Sequence, residues 1–179
     1  MQNLSPMSIL KNTNDYWKNM KTLYIMRHPQ KKEDSLEDDF FVPLTKKGID
    51  DANYIANKLK SKNVKVDLIV SSPSLRTETT SMILSNVLDI KKKILYNEVL
   101  YQGFLDELIE SINFTFYSVE TLMIVGHNPL LSNLVNHFVG YKDQINASEV
   151  IKITFETSSW VDISSQNAKL IEIIKPLNQ

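Results

Sequence analysis

Thr22-Leu23-Tyr24-Ile25-Met26-Arg27-His28-Pro29 passes directly from an apolar run into an arginine and a histidine, and its reading decides the architecture of the rest. Thr22 to Met26 has the composition and length of a strand, so Arg27 and His28 fall at its carboxyl end. Downstream, residues 46–62 place Ile49, Ala52, Ile55, Ala56 and Leu59 on one helical face, and Asp67 to Val70 reads as a second strand. Leu75 to Val87 follows as a helix with Leu75, Met82, Ile83 and Val87 expected inward.

Farther along, Ile94 and Leu95 lead into a loop, and Phe104, Leu105, Leu108, Ile109 and Ile112 mark another amphipathic helix. Leu122 to Val125 is a third clear strand, and Pro129 suits the first turn of a helix carrying Leu130, Leu131, Leu134, Val135 and Phe138. Strand-like and helical segments that alternate in this way belong to crossover units around a mainly parallel sheet. After Gly140 the pattern changes to three strand-like pieces, 150–155, 159–163 and 168–174, suited to a partly antiparallel sheet edge. The charged stretch KKEDSLEDD, residues 31–39, reads as a solvated loop.

Two of the three histidines stand directly after strands, in Met26-Arg27-His28-Pro29 and Val125-Gly126-His127-Asn128-Pro129. Open α/β sheets bind ligands outside the carboxyl ends of their strands, so both imidazoles can converge on one crevice. A third strand end carries Ser71-Ser72-Pro73-Ser74-Leu75-Arg76-Thr77, which sets Arg76 in the first turn of the next helix. Two imidazoles, two guanidiniums and a helix start favour a phosphoryl group, because arginine forks grip its oxygens bidentately and helix amino termini add partial positive charge. A neutral imidazole can take phosphorus as phosphohistidine and so divide one displacement into two. No metal and no other cofactor is called for by this chemistry.

Four stretches in order, Arg27-His28, Pro43-Leu44-Thr45-Lys46-Lys47-Gly48, Ser71-Ser72-Pro73-Ser74-Leu75-Arg76-Thr77-Glu78-Thr79 and Gly126-His127-Asn128-Pro129, resemble the histidine phosphatase superfamily, also called phosphoglycerate-mutase-like. The resemblance implies an α/β fold, a three-layer α/β/α sandwich with a mainly parallel central sheet. It also implies that His28 accepts the phosphoryl group while Arg27, Arg76 and His127 bind it. Asn97-Glu98-Val99-Leu100-Tyr101-Gln102-Gly103 looks like the family's loop bearing a glutamate, which makes Glu98 the expected proton donor. In one respect the chain departs from the pattern: Pro29 stands where the family has glycine, fixing φ and removing a backbone N–H. Thr45 is expected as the cap of the helix that follows it.

Only 28 residues separate Glu98 from His127 and 16 separate His28 from Thr45, too few for an inserted cap domain. This compactness looks most like the SixA-type phosphohistidine phosphatases, which implies hydrolysis of phosphorylated substrates, protein phosphohistidine included. Two readings stay open beside it: a mutase or phosphatase acting on a small phosphorylated metabolite, and a silent phosphate-binding module created by Pro29. Composition narrows the field further. In 179 residues there is no cysteine, 42% are hydrophobic, and 20 basic residues nearly balance 21 acidic ones. Thiol chemistry is excluded, and no global field draws the chain to nucleic acid or to a membrane. The expected organisation is an N-terminal extension, 1–20, packed through Leu4, Ile9, Leu10, Tyr16 and Trp17, and a single domain, 21–179, in a cytoplasmic protein whose partner is a phosphorylated small molecule or phosphoprotein.

Overall fold

Strand β1 (Lys21–Arg27) lies inside the sheet and is apolar on both sides: Leu23 and Ile25 pack into one core, Tyr24 and Met26 into another. Its period of two thus fixes two helical layers. The computed structural model describes residues 20–33 and 35–177. The expected packing of residues 1–19 lies outside the described residues.

The other strands are β2 (Leu68–Ser71), β3 (Leu95–Tyr96), β4 (Thr121–Gly126), β5 (Val150–Phe155) and β6 (Ala168–Ile174), in the order β3-β2-β4-β1-β5-β6. β1 pairs in parallel with β4, and β2 in parallel with both β4 and β3. β5 and β6 continue the sheet antiparallel, as the change of pattern after Gly140 suggests. Of the three pieces expected there, the middle one is not a strand. Trp160–Asp162 is a 3-10 turn whose indole is buried and donates to the Val119 carbonyl at 2.7 Å, an anchor that a strand would not provide.

Helices α1 (Lys46–Ser61) and α2 (Leu75–Leu88) cover the Tyr24 and Met26 face, while α3 (Val99–Gln102), α4 (Leu105–Asn113) and α5 (Leu130–Val139) cover the other. The three layers implied by the family resemblance are present. Thr45 caps α1 through its hydroxyl, which accepts from the Gly48 N–H at 2.9 Å. Gly48 has to be glycine because a Cβ there would strike the Gln30 carbonyl. That close approach pins the chain just beyond His28 against the start of α1, and Thr45 N–H donates to the same Gln30 carbonyl at 3.0 Å. Gly140, at φ 66, closes α5 in the left-handed region.

α2 follows the apolar pattern in part: Ile83 and Val87 pack against the core as expected, but Met82 does not. Met82 is 51% exposed, and the buried face is Arg76, Thr77, Thr80, Ser81 and Leu84. Short hydroxyl side chains hold this face against β2: Thr77 Oγ1 donates to the Ser72 carbonyl at 2.8 Å and Ser81 Oγ to Ser71 Oγ at 2.9 Å. This arrangement has a functional effect, because it aims Arg76 inward. Ile49 and Phe104, also expected on inner faces, are exposed at the first turn of α1 and just before α4.

Candidate active site

Parallel neighbours end at the same edge of a sheet, and β1 and β4 are paired in register through Arg27 and Gly126. His28 and His127 are the next residues, so they leave the sheet side by side. The His28 N–H donates to the Gly126 carbonyl at 3.1 Å, and the two ring centroids are 4.9 Å apart. On the other flank of β4, β2 ends beside Val125 and delivers Ser72, Ser74 and Arg76 to the same edge.

His28 is buried, and its Nδ1 lies 2.6 Å from the Pro29 carbonyl oxygen. A carbonyl can only accept, so Nδ1 carries the proton and the lone pair sits on Nε2. Burial is the main force lowering the His28 pKa to about 4; the Pro29 hydrogen bond opposes it, and Arg76, Arg27 and Lys31 reinforce it. The ring is therefore neutral at ordinary pH. Pro29, which lacks an N–H, still supplies the oxygen that sets this tautomer.

His127 is held in the complementary way. Arg76 Nη2 lies 3.4 Å from its Nδ1, and Ser72 Oγ and Ser74 Oγ lie 2.9 and 3.3 Å from its Nε2. A guanidinium only donates, so Nδ1 accepts and Nε2 carries the proton toward the serines. Burial first, then the adjoining His28 ring and the cations of Arg76 and Lys31, lowers its pKa to about 3, against the opposing charge of Asp39. Arg76 is 4% exposed, and its Nε has no hydrogen-bond partner among the described residues. Arg27 shares that property: its Nη1 donates to the Ile145 carbonyl at 2.9 Å while its buried Nε is unpaired. Asn128 helps to place that carbonyl, donating to it at 2.9 Å and accepting from Ser132 Oγ at 2.8 Å.

Arg27, His28, Arg76 and His127 all line one cleft of about 420 Å³, together with Pro29, Gln30, Lys31, Glu33, Asp39, Asn128 and Ala147. Buried guanidinium N–H groups without partners among the described residues, lining one cleft with a neutral imidazole, suit a tetrahedral oxyanion. Glu98 lies elsewhere: it is exposed at the start of α3 and does not line the cleft.

The carboxylate that does reach the arginine is Asp39, in the stretch read as a solvated loop. Asp38 caps a 3-10 turn over Asp39–Phe41, accepting from Phe40 N–H at 2.9 Å, and the turn carries Asp39 over the cleft. There its Oδ2 accepts from Arg76 Nη2 at 2.8 Å, its carbonyl accepts from Arg76 Nη1, and its Oδ1 accepts from Lys31 Nζ at 2.5 Å. The Lys31 bond foremost, then Arg76, holds the Asp39 carboxyl down at about 2 against partial burial. Phe40 and Tyr101 meet edge to face beside it, and Tyr101 also meets His127. Charge density alone could not have distinguished Asp39 from its acidic neighbours. Among the described residues no cluster of histidine, aspartate and glutamate could hold a metal ion, and no helix is long and apolar enough to cross a membrane.

Comparison with known proteins agrees with this geometry. Residues 23–99 match the model of the histidine phosphatase superfamily, branch 1. The phosphohistidine phosphatase SixA of Escherichia coli (strain K12) is 28% identical over 120 residues, 63% of this chain and 71% of that protein. Among solved structures, the protein histidine phosphatase SixA complexed with tungstate superposes with a TM-score of 0.75 at 22% identity, covering 87% of this chain and 97% of the other. Phosphoglycerate mutase from Plasmodium falciparum shares the fold more distantly, with a TM-score of 0.59 at 16% identity over 86% of this chain and 90% of its own. The sequence match, the fold and the paired strand-end histidines converge on one likeness: over residues 23–99 the chain is similar to branch 1 of the histidine phosphatase superfamily.

Proposed function

We propose that the protein is a phosphatase that passes a phosphoryl group from its substrate to His28 Nε2 and then to water, and that protein phosphohistidine is its substrate. The observation that carries this reading is the His28 ring itself, neutral, with Nδ1 committed to the Pro29 carbonyl and Nε2 free in the cleft. Arg27 and Arg76 line the same cleft, so charge on the equatorial oxygens of the transferring group meets guanidiniums already in place, with the neutral His127 ring holding Arg76. Water then displaces phosphate from the phosphohistidine. The resemblance to SixA, a phosphohistidine phosphatase, supports the choice of substrate.

A second reading, a phosphatase or mutase for a small phosphorylated metabolite, is favoured by one feature. Lys31, Glu33 and Asp39 of the 31–42 segment line the cleft and narrow it from one side. Measured kcat/KM for a phosphohistidine-bearing protein against small phosphate monoesters separates the two. A preference for the protein supports the first, and a preference for the small ester supports the second.

A further inference from the structure

Asp39 sits where an anion is wanted. Its carboxylate and its carbonyl take both terminal nitrogens of Arg76. We propose that Asp39 carries the proton through the reaction, as general acid toward the leaving group and then as general base toward the attacking water. This rests on the reading of His28 as the nucleophile.

In an in-line displacement the leaving group departs opposite the attacking nitrogen. His28 is buried at the base of the cleft, so the leaving group departs toward the mouth. Asp39 stands at the mouth, its side chain half exposed and ion-paired to an arginine that grips the phosphoryl oxygens. Neither His127 nor the arginines can deliver a proton there. The Nε2 proton of His127 is turned to Ser72 and Ser74, and a guanidinium does not release one.

The charged and titratable groups facing Asp39 are Lys31 on its own loop, Arg76 from α2, Tyr101 from α3, whose hydroxyl lies 3.4 Å away, and His127 at the end of β4. Lys31 and Arg76 keep the carboxylate ionised. A phosphoryl dianion that takes the Arg76 nitrogens releases Asp39 and places negative charge beside it. Both changes raise its pKa, and its exposure lets it collect a proton from solvent. The bond from phosphorus to the leaving oxygen or nitrogen then breaks, the bond to His28 Nε2 forms, and the Asp39 proton moves to the leaving atom. In the second half a water oxygen bonds to phosphorus, the P–Nε2 bond breaks, and the water proton goes to the Asp39 carboxylate. Substrate and water become inorganic phosphate and the protonated leaving group.

The test compares an alkyl phosphate, whose leaving group needs a proton, with nitrophenyl phosphate, whose leaving group does not. Wild type, Asp39→Asn, Asp39→Glu and His28→Ala are measured on both, with thermal melting to confirm that each variant is folded. Asp39→Asn is expected to lower kcat/KM for the alkyl ester on the order of 10²–10⁴-fold, the usual span for general acid–base catalysis. For the nitrophenyl ester kcat/KM changes by less than about fivefold while kcat falls and a burst of nitrophenol appears, because the water step then lacks its base. Asp39→Glu recovers part of the loss. An equal fall for both esters, or an equal rise from removing a competitor for Arg76, overturns the proposal while leaving the nucleophile intact. Unchanged turnover in His28→Ala instead sinks the reading of His28, and the role of Asp39 with it.

Discussion

The ring of His28 is tied to the residue that follows it, Nδ1 to the Pro29 carbonyl at 2.6 Å, so position 29 serves the nucleophile through a backbone oxygen that every amino acid possesses. Replacing the family's glycine by proline therefore does not disturb the tautomer. Pro29→Gly is expected to keep kcat within about threefold of wild type, since the acceptor remains. It should lower stability by about 0.4–1 kcal/mol, because glycine widens the conformational freedom of the unfolded chain. Steady-state kinetics and urea unfolding check the two halves. A large gain in hydrolysis on restoring glycine would instead favour the silent-module reading.

Acid pH acts on the same pair of rings. His28 must be neutral to attack, and its pKa lies at about 4, so kcat/KM for nitrophenyl phosphate, whose leaving group needs no proton, should fall about tenfold per pH unit below that value. Stability follows the same direction. An unfolded histidine takes its proton near pH 6.5, whereas these take theirs at about 4 and about 3 in the folded protein. Between those limits the unfolded chain binds more protons, so stability is fully present above pH ~6.5 and is lost as pH falls toward 3. Urea midpoints at pH 7 and pH 4.5 should show the loss, and His28→Ala should show a smaller one.

How much of this was legible beforehand differs by element. β1, β2, β4 and α5 lie within a residue or two of their expected bounds, because apolar periodicity reports burial and these elements are buried. The site quartet was legible for a related reason, since parallel strands that end at one edge bring Arg27, His28 and His127 together whatever their separation in sequence. Met82 shows where periodicity misleads. The buried face of α2 is built from hydroxyls and an arginine, which no hydrophobicity pattern selects. Asp39 stayed hidden because its importance depends on a tertiary partner, Arg76, 37 positions away.

Arg76 offers a test of charge against geometry. Lysine keeps the positive charge but cannot reproduce the fork that faces both the phosphoryl group and Asp39. Arg76→Lys and Arg76→Ala are each expected to lower kcat/KM on the order of 10²–10³-fold, the range for losing one preorganised donor to transition-state charge. Binding of vanadate or inorganic phosphate should weaken in parallel. A lysine variant that retains wild-type kcat/KM would show that charge alone suffices.

Lys21 provides a control at the opposite end of β1. It is fully buried, yet its ammonium donates to the Tyr117 and Val119 carbonyls at 2.9 Å each and pairs with Glu120 at 3.3 Å. Lys21→Met keeps the stem and removes these donors, which should cost about 1–3 kcal/mol for buried carbonyls left unpaired. Because the site lies at the other end of the strand, kcat/KM should stay at the wild-type value while the urea midpoint falls.

The most direct measurement is the capture of phosphorus on the enzyme. Protein mixed with a phosphorylated substrate, quenched in alkali within the first turnover and fragmented for mass spectrometry should carry one acid-labile phosphoryl group on the peptide containing His28, and none in His28→Asn. Phosphate released at the wild-type rate by His28→Asn, or the phosphoryl group found on a different residue, would contradict the account.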